Sequence, residues 1–315
     1  MNWNDKTAAN VKAIKPSGIR KFFDIAAQVK GVLSLSIGEP DFPAPDKVLA
    51  AMKASLDAKE TSYTGNSGMM ELREAISHHF EQRYGVHYDP KDEILVTVGV
   101  SEGLAMALLA ITEPGDEVII PDPAYVAYPA SVELAGGTPI FVPTYPEHDF
   151  KLTVEALEKV ITPKTKAIVI GYPNNPTGTV MSAEELMPIA KFAEEHDLIV
   201  LSDEIYCELM YGDAKFTSFA KLPGMRERTV IFNGFSKAYA MTGMRLGYVC
   251  APREGLAPIL KLHQYAIMCA NTTAQVGGIT ALKECDDDVE AMRQEYDRRR
   301  KVIYKGLCDM GLPVF

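Results

Sequence analysis

The sequence predicts an α/β fold built on a mostly parallel, seven-stranded sheet, with a second and smaller α+β domain. Three observations carry that reading. Short β-branched runs alternate with longer helix-patterned stretches from about residue 90 to 250, the signature of βαβ units. At 315 residues and 47% hydrophobic composition, the chain can bury a large core and is long enough for roughly two domains. No repeat, low-complexity tract or Pro/Gly/Ser-rich linker divides it, so the boundary has to come from patterning.

The strand candidates, in chain order, are EILVTV (93–98), EVIIP (117–121), TPIFVPT (138–144), KAIVIGY (166–172), LIVLSD (198–203), TVIFNGF (229–235) and RLGYVCA (245–251). Between the fourth and fifth, SAEELMPIAKFAEEH (182–196) has helical spacing, and Ser182 with Glu185 matches a capping box at its start. The segment SIGEPDFPAPDKV (36–48) marks the entry to the large domain. Near the other end, Asp286 to Asp288 stand before a long helical pattern and Arg298 to Lys301 towards its close, an order that suits the helix dipole. We read it as a solvated helix linking two domains. The expected division is an amino-terminal segment with part of the small domain (1–45), the large domain (46–280) and the start of the carboxy-terminal small domain (281–315).

Composition narrows the function classes. A formal charge of −10 and a pI near 5.2 argue against nucleic acid as a partner, because phosphate binding needs clustered excess Lys and Arg. The amino terminus has no uninterrupted apolar run and no later stretch reaches the length of a membrane span, so we expect a cytoplasmic protein with no membrane partner. The five cysteines are odd in number and never spaced as CxxC. Neither a disulfide framework nor a zinc site is expected, and the thiols are read as reduced and mostly buried. His78 and His79 are adjacent, so on a helix they point to different sides, and no HExxH pattern occurs; no metal is expected.

An open parallel sheet places ligands at the carboxyl ends of its strands, so the residues just after each run are the informative ones. After EILVTV comes Gly99-Val100-Ser101-Glu102-Gly103 and then the helical LAMALLAI, a tight turn into a helix amino terminus whose free N–H groups suit an anion. Neither GxGxxG nor GxxxxGK[ST] is present, which argues against NAD and ATP. After KAIVIGY, the turn-forming Pro173-Asn174-Asn175-Pro176-Thr177-Gly178 presents the Asn175 amide at a strand end. After LIVLS comes Asp203, which could be a local cap or could pair with a cationic ring nitrogen. After TVIFNGF, Ser236-Lys237 sits among small and apolar residues, where desolvation would lower the lysine pKa and free a nucleophilic amine. Arg245, eight residues on, offers a fork for a phosphate.

NNPTG, SDEIY and SKAYAMTGMRLGY, in this order and spacing, resemble the class I/II aminotransferases, aspartate-aminotransferase-like enzymes of pyridoxal 5′-phosphate (PLP) fold type I. The resemblance extends from SIGEPDFPAP through YTGNSGMMELREAI and VTVGVSEGL to about residue 310. It implies that 46–280 is the PLP-binding domain. It implies that Lys237 bonds the cofactor covalently and then moves a proton to and from the substrate Cα, and that Asp203 pairs with the pyridinium nitrogen. Tyr206 and Asn175 would hydrogen-bond the phenolic oxygen, and Tyr125 would stack on the ring. Val100, Ser101, Ser236 and Arg245 would hold the phosphate. Gly38 would offer a backbone contact to the substrate carboxylate, Asn175 would join it in the substrate site, and Ser17, Gly18 and Ile19 are side-chain contact candidates. Tyr63 would cross a homodimer interface to the neighbouring phosphate. Cis peptide bonds are implied at Asp122–Pro123 and Asn175–Pro176.

Members of the family continue for tens of residues past the position of Phe315, and that stretch carries the arginine for the substrate α-carboxylate. No residue here aligns with it, so we expect a longer natural chain. The function implied is ping-pong transfer of an amino group from an L-amino acid to a 2-oxo acid. A carbon–sulfur β-lyase shares the cofactor and most of these residues, and a non-catalytic PLP-binding sensor module is the third alternative.

Overall fold

The seven expected strands form one sheet. They are β1 Ile94–Thr97, β2 Glu117–Asp122, β3 Thr138–Pro143, β4 Thr165–Ile170, β5 Ile199–Asp203, β6 Thr229–Gly234 and β7 Gly247–Cys250. Their spatial order is β1-β7-β6-β5-β4-β2-β3. β7 runs antiparallel to β1 and β6, and every other pairing is parallel. This computed structural model describes residues 1–14, 25, 29, 31 and 38–315. Ser17, Gly18 and Ile19 lie outside the described residues.

Side-chain alternation along the strands sorts the core into two layers. Leu95, Val118, Ile120, Val169, Leu201, Phe232 and Val249 point to one face, where α3 (Val100–Ile111), α4 (Ala127–Leu134) and α6 (Arg253–Ala266) cover them with Leu104, Leu108, Val132 and Ile259. On the opposite face, Ile94, Val96, Ile231 and Tyr248 meet Leu72, Ile76 and Phe80 of α2 (Met70–Tyr84). There α5 (Ala183–Glu195) supplies Leu186, Ile189 and Phe192 against Ile119, Ile168 and Val200. All six residues of β6 are buried, as a strand covered on both sides must be, which is why TVIFNG lacks polar alternation.

Helix α5 begins on the expected capping box. Ser182 Oγ accepts from the Glu185 N–H at 3.3 Å, and Glu185 Oε2 accepts from the Ser182 N–H at 2.8 Å. Two other starts differ from the sequence reading. The helix α3 begins at Val100, directly after Gly99, so Val100 to Gly103 form its first turn and not a loop before it. Helix α8 (Asp286–Asp309) takes Asp286, Asp287 and Asp288 into its own first turn, where their charge faces the free N–H groups. A further helix, α7 (Thr272–Glu284), packs against α1 (Asp46–Asp57) and joins α2 and α8 on the β1/β7 side.

The Asp122–Pro123 and Asn175–Pro176 bonds are cis, as expected, and Tyr172–Pro173 is a third cis bond that the motifs did not indicate. The five cysteines are free; Cys207, Cys250 and Cys285 are buried and Cys308 is exposed. No described helix is long and apolar enough to cross a membrane.

Candidate active site

Asp203 closes β5 with 8% of its surface exposed. Its Oδ2 accepts a hydrogen bond from the Tyr128 hydroxyl at 2.8 Å, and its Oδ1 accepts from the Ile205 N–H at 3.2 Å. The second of these is the local turn contact that a strand-end acid commonly makes. The first comes from α4, 75 residues away in sequence. Burial pushes the Asp203 pKa up, and the Tyr128 hydroxyl, the Ile205 N–H and the Lys237 charge oppose that rise.

Tyr128 was not singled out from the sequence. Only its repeat of Tyr125 three residues earlier, on one face of a helical turn, could have drawn notice. The two rings pack edge to face with centroids 5.6 Å apart. Burial, followed by the Asp203 charge, drives the Tyr128 pKa far above its ordinary value, so the hydroxyl stays protonated and donates.

Lys237 follows β6 by three residues. Its Nζ donates to the Gly38 carbonyl at 2.6 Å and lies 5.7 Å from the centre of the Tyr206 ring. Desolvation lowers the amine pKa, with Arg245 acting in the same direction and Glu39 and Asp203 against it. Glu39 is fixed in turn by the Thr242 hydroxyl at 2.5 Å. Burial also raises Tyr206, to about 12, with the Asp203 charge adding to it.

Beside the lysine, Arg245 meets the uncapped amino end of α3. Gly99, at φ 76°, precedes the first turn of α3, and no side chain caps that end. A Cβ at Gly99 would lie 2.7 Å from Arg245 Nη2, so the guanidinium rests directly against this glycine. Arg245 is itself left-handed at φ 51°, a conformation that costs free energy for a non-glycine residue, and its Nη1 donates to the Thr242 carbonyl at 3.0 Å. Gly247 lets β7 approach closely, since a Cβ there would meet the Val100 nitrogen at 2.7 Å. Ser101 is exposed, and Val100 and Ser236 are half-buried.

Asn175 and Tyr206 share the wall of a cavity of about 620 Å³, which Arg300 of α8, Tyr211 and Met210 also line. The structure thus brings Lys237, Asp203, Tyr206, Asn175, Tyr125 and Gly38 to one end of the sheet, next to Val100, Ser101, Ser236 and Arg245. Tyr63 stands apart, 80% exposed on the surface.

Glu204, next to Asp203, turns the other way. It is 1% exposed, and its Oε1 accepts from Ser202 Oγ (3.0 Å), Ser218 Oγ (2.9 Å) and the Phe219 N–H (3.1 Å). Burial raises its pKa to about 7 in spite of these donors.

A desolvated lysine, a buried strand-end carboxylate and an arginine at a helix amino terminus thus meet at the carboxyl ends of a mostly parallel sheet, where open α/β folds place their ligands. Residues 30–315 match the family model described as aminotransferase class I and II. The chain is 53% identical over 302 residues to the putative aminotransferase YugH of Bacillus subtilis, covering 96% of this chain and 78% of that one. It is 48% identical over 302 residues to an aspartate aminotransferase of Pyrococcus abyssi, covering 95% and 78%. The crystal structure of an aromatic aminotransferase from Pyrococcus horikoshii OT3 matches with a TM-score of 0.88 at 46% identity, over 94% of this chain and 79% of that one. The chain therefore belongs to the class I and II aminotransferases, a family of enzymes that use PLP, and is an aminotransferase.

Proposed function

We propose that this site binds PLP through Lys237 and moves an amino group from an L-amino acid to a 2-oxo acid in a ping-pong cycle. The observation that carries the reading is the Lys237 amine, desolvated within reach of Gly38 and Tyr206 and in the field of buried Asp203. The residues fit the cofactor. Its phosphate suits the cradle in which the Arg245 guanidinium lies against Gly99 at the open end of α3, with Val100, Ser101 and Ser236 around it. Its ring nitrogen suits a carboxylate that stays buried and is already oriented by two donors.

Bound PLP supplies an electron sink for the bond broken at the substrate Cα. The Lys237 amine, with its pKa lowered, takes that proton and returns it. Asp203 holds the proton on the ring nitrogen. Tyr206 and Asn175 would hydrogen-bond the phenolic oxygen, Tyr125 would stack on the ring, and Gly38 and Asn175 would contact the substrate. Exposed Tyr63 completes the phosphate site of a second copy, which makes the working form a homodimer. Residues 46–280 form the large PLP-binding domain, flanked by small-domain pieces at 1–45 and 281–315, and the protein acts in the cytoplasm. Aspartate and aromatic amino acids, named for the relatives, are the first donors to try.

The test is the visible absorption of the PLP-loaded protein as single L-amino acids are added without any 2-oxo acid. Loss of the band with stoichiometric 2-oxo acid and pyridoxamine phosphate is the expected result. Continued release of pyruvate and ammonia would move the assignment to a β-lyase. An unchanged spectrum across the amino acids would overturn the reading and favour a non-catalytic PLP-binding module.

A further inference from the structure

We propose that Tyr128 is a positioning residue for amino transfer: through its hydrogen bond it keeps the Asp203 carboxylate ionised and turned towards the cofactor nitrogen. The inference rests on the PLP reading of the site. A carboxylate offers about four acceptor positions. On Asp203 the Ile205 N–H takes one on Oδ1 and the Tyr128 hydroxyl takes one on Oδ2, which fixes the plane of the group and leaves the others for the site.

The surroundings leave room for the hydroxyl. Gly171, just past β4, would place a Cβ 3.1 Å from the Tyr128 oxygen, tighter than an ordinary contact, so the strand end is cut back where the hydroxyl lies. The Tyr125 ring holds the other flank. The charged and titratable groups around Asp203 are Tyr128 from α4, Tyr206 three residues on, Lys237 from the turn after β6, and Glu204 beside it on the chain. Tyr125 and Tyr206 adjoin Tyr128.

The chemical consequence has a definite sign. Removing a donor from a buried carboxylate makes it a stronger base, so Asp203 draws the shared proton away from the ring nitrogen. A ring with less positive charge withdraws fewer electrons, and the pH midpoint of the PLP visible band rises. The loss of a hydrogen bond to a charged group is also expected to weaken PLP binding about tenfold.

The experiment compares the PLP-loaded wild type with Tyr128→Phe and Gly171→Ala. It reads the pH midpoint of the visible band, the PLP dissociation constant by fluorescence, and kcat and KM separately. Tyr128→Phe should raise the midpoint, weaken PLP about tenfold and lower kcat about tenfold with KM little changed. Gly171→Ala, which keeps the tyrosine and displaces its hydroxyl, should move the midpoint the same way by less. A wild-type midpoint and PLP affinity in Tyr128→Phe would overturn the proposal. If that variant does not fold, an unshifted midpoint in Gly171→Ala overturns it. A wild type with no visible band that Lys237→Ala removes would overturn the PLP reading itself, and this proposal with it.

Discussion

Asp203 and Glu204 are adjacent carboxylates at the end of one strand, both buried and both pushed above their ordinary pKa by that burial, yet they sit in opposite environments. Glu204 faces a closed cage, in which three donors converge on a single oxygen, Oε1. Asp203 divides its two donors between its two oxygens and lies in the field of a lysine. Burial with a perturbed pKa is common to both, so it does not distinguish a reactive group from a structural one. What separates them is the partner in reach: Asp203 lies in the field of Lys237, whereas Glu204 Oε2, buried without a hydrogen-bond partner, has no cation beside it among the described residues.

That contrast can be broken at either carboxylate or sharpened against controls. Replacing Lys237 by Ala should have the largest effect, lowering kcat by about 10²–10⁴-fold, as measured in single-turnover assays, while the fold stays intact. Asp203→Asn removes the charge facing the site, and kcat should fall about 10²–10³-fold with little change in thermal unfolding. Glu204→Ala should invert that pattern. It leaves the Ser202 and Ser218 hydroxyls and the Phe219 N–H without their acceptor, costing about 1–3 kcal/mol in denaturant unfolding, while kcat stays within about twofold of wild type. A kcat loss in Glu204→Ala matching that of Asp203→Asn would erase the distinction.

The pH dependence of stability gives a smaller, signed test. Between its ordinary value of 4.5 and about 7, folded Glu204 holds a proton that the unfolded chain has lost. Its contribution to stability therefore falls as pH rises through that window. Glu204→Gln should be flatter than wild type there in urea melts, and parallel curves would contradict the cage. Ser182→Ala, remote from both carboxylates, should cost only about 1 kcal/mol through loss of the α5 cap and leave kcat unchanged.

Much of this was legible in the sequence because the signals are local. The strands announced themselves as β-branched runs, the α5 start as Ser182 with Glu185, and Lys237 and Asp203 as unusual residues where apolar runs stop. Helix starts were less legible, since Gly99-Val100-Ser101 reads equally as a turn or as a first helical turn. Tyr128 was invisible for a different reason. Its partner lies across the sheet, and nothing in PDPAYVAYP says that α4 will bring this hydroxyl, and not that of Tyr125, to the end of β5. The caging of Glu204 is hidden in the same way, because Ser218 and Phe219 reach it from the start of a short 3₁₀ helix (Phe219–Lys221) beyond the strand. Contacts that depend on how crossovers pack have no signature in spacing.

The most direct measurement is borohydride reduction of the PLP-loaded protein followed by peptide mapping in a mass spectrometer. Incorporation of the cofactor mass at Lys237, within the SKAYAM segment, is the result predicted. Incorporation at another lysine, or none with PLP bound, would contradict the assignment of this strand end as the site of amino transfer.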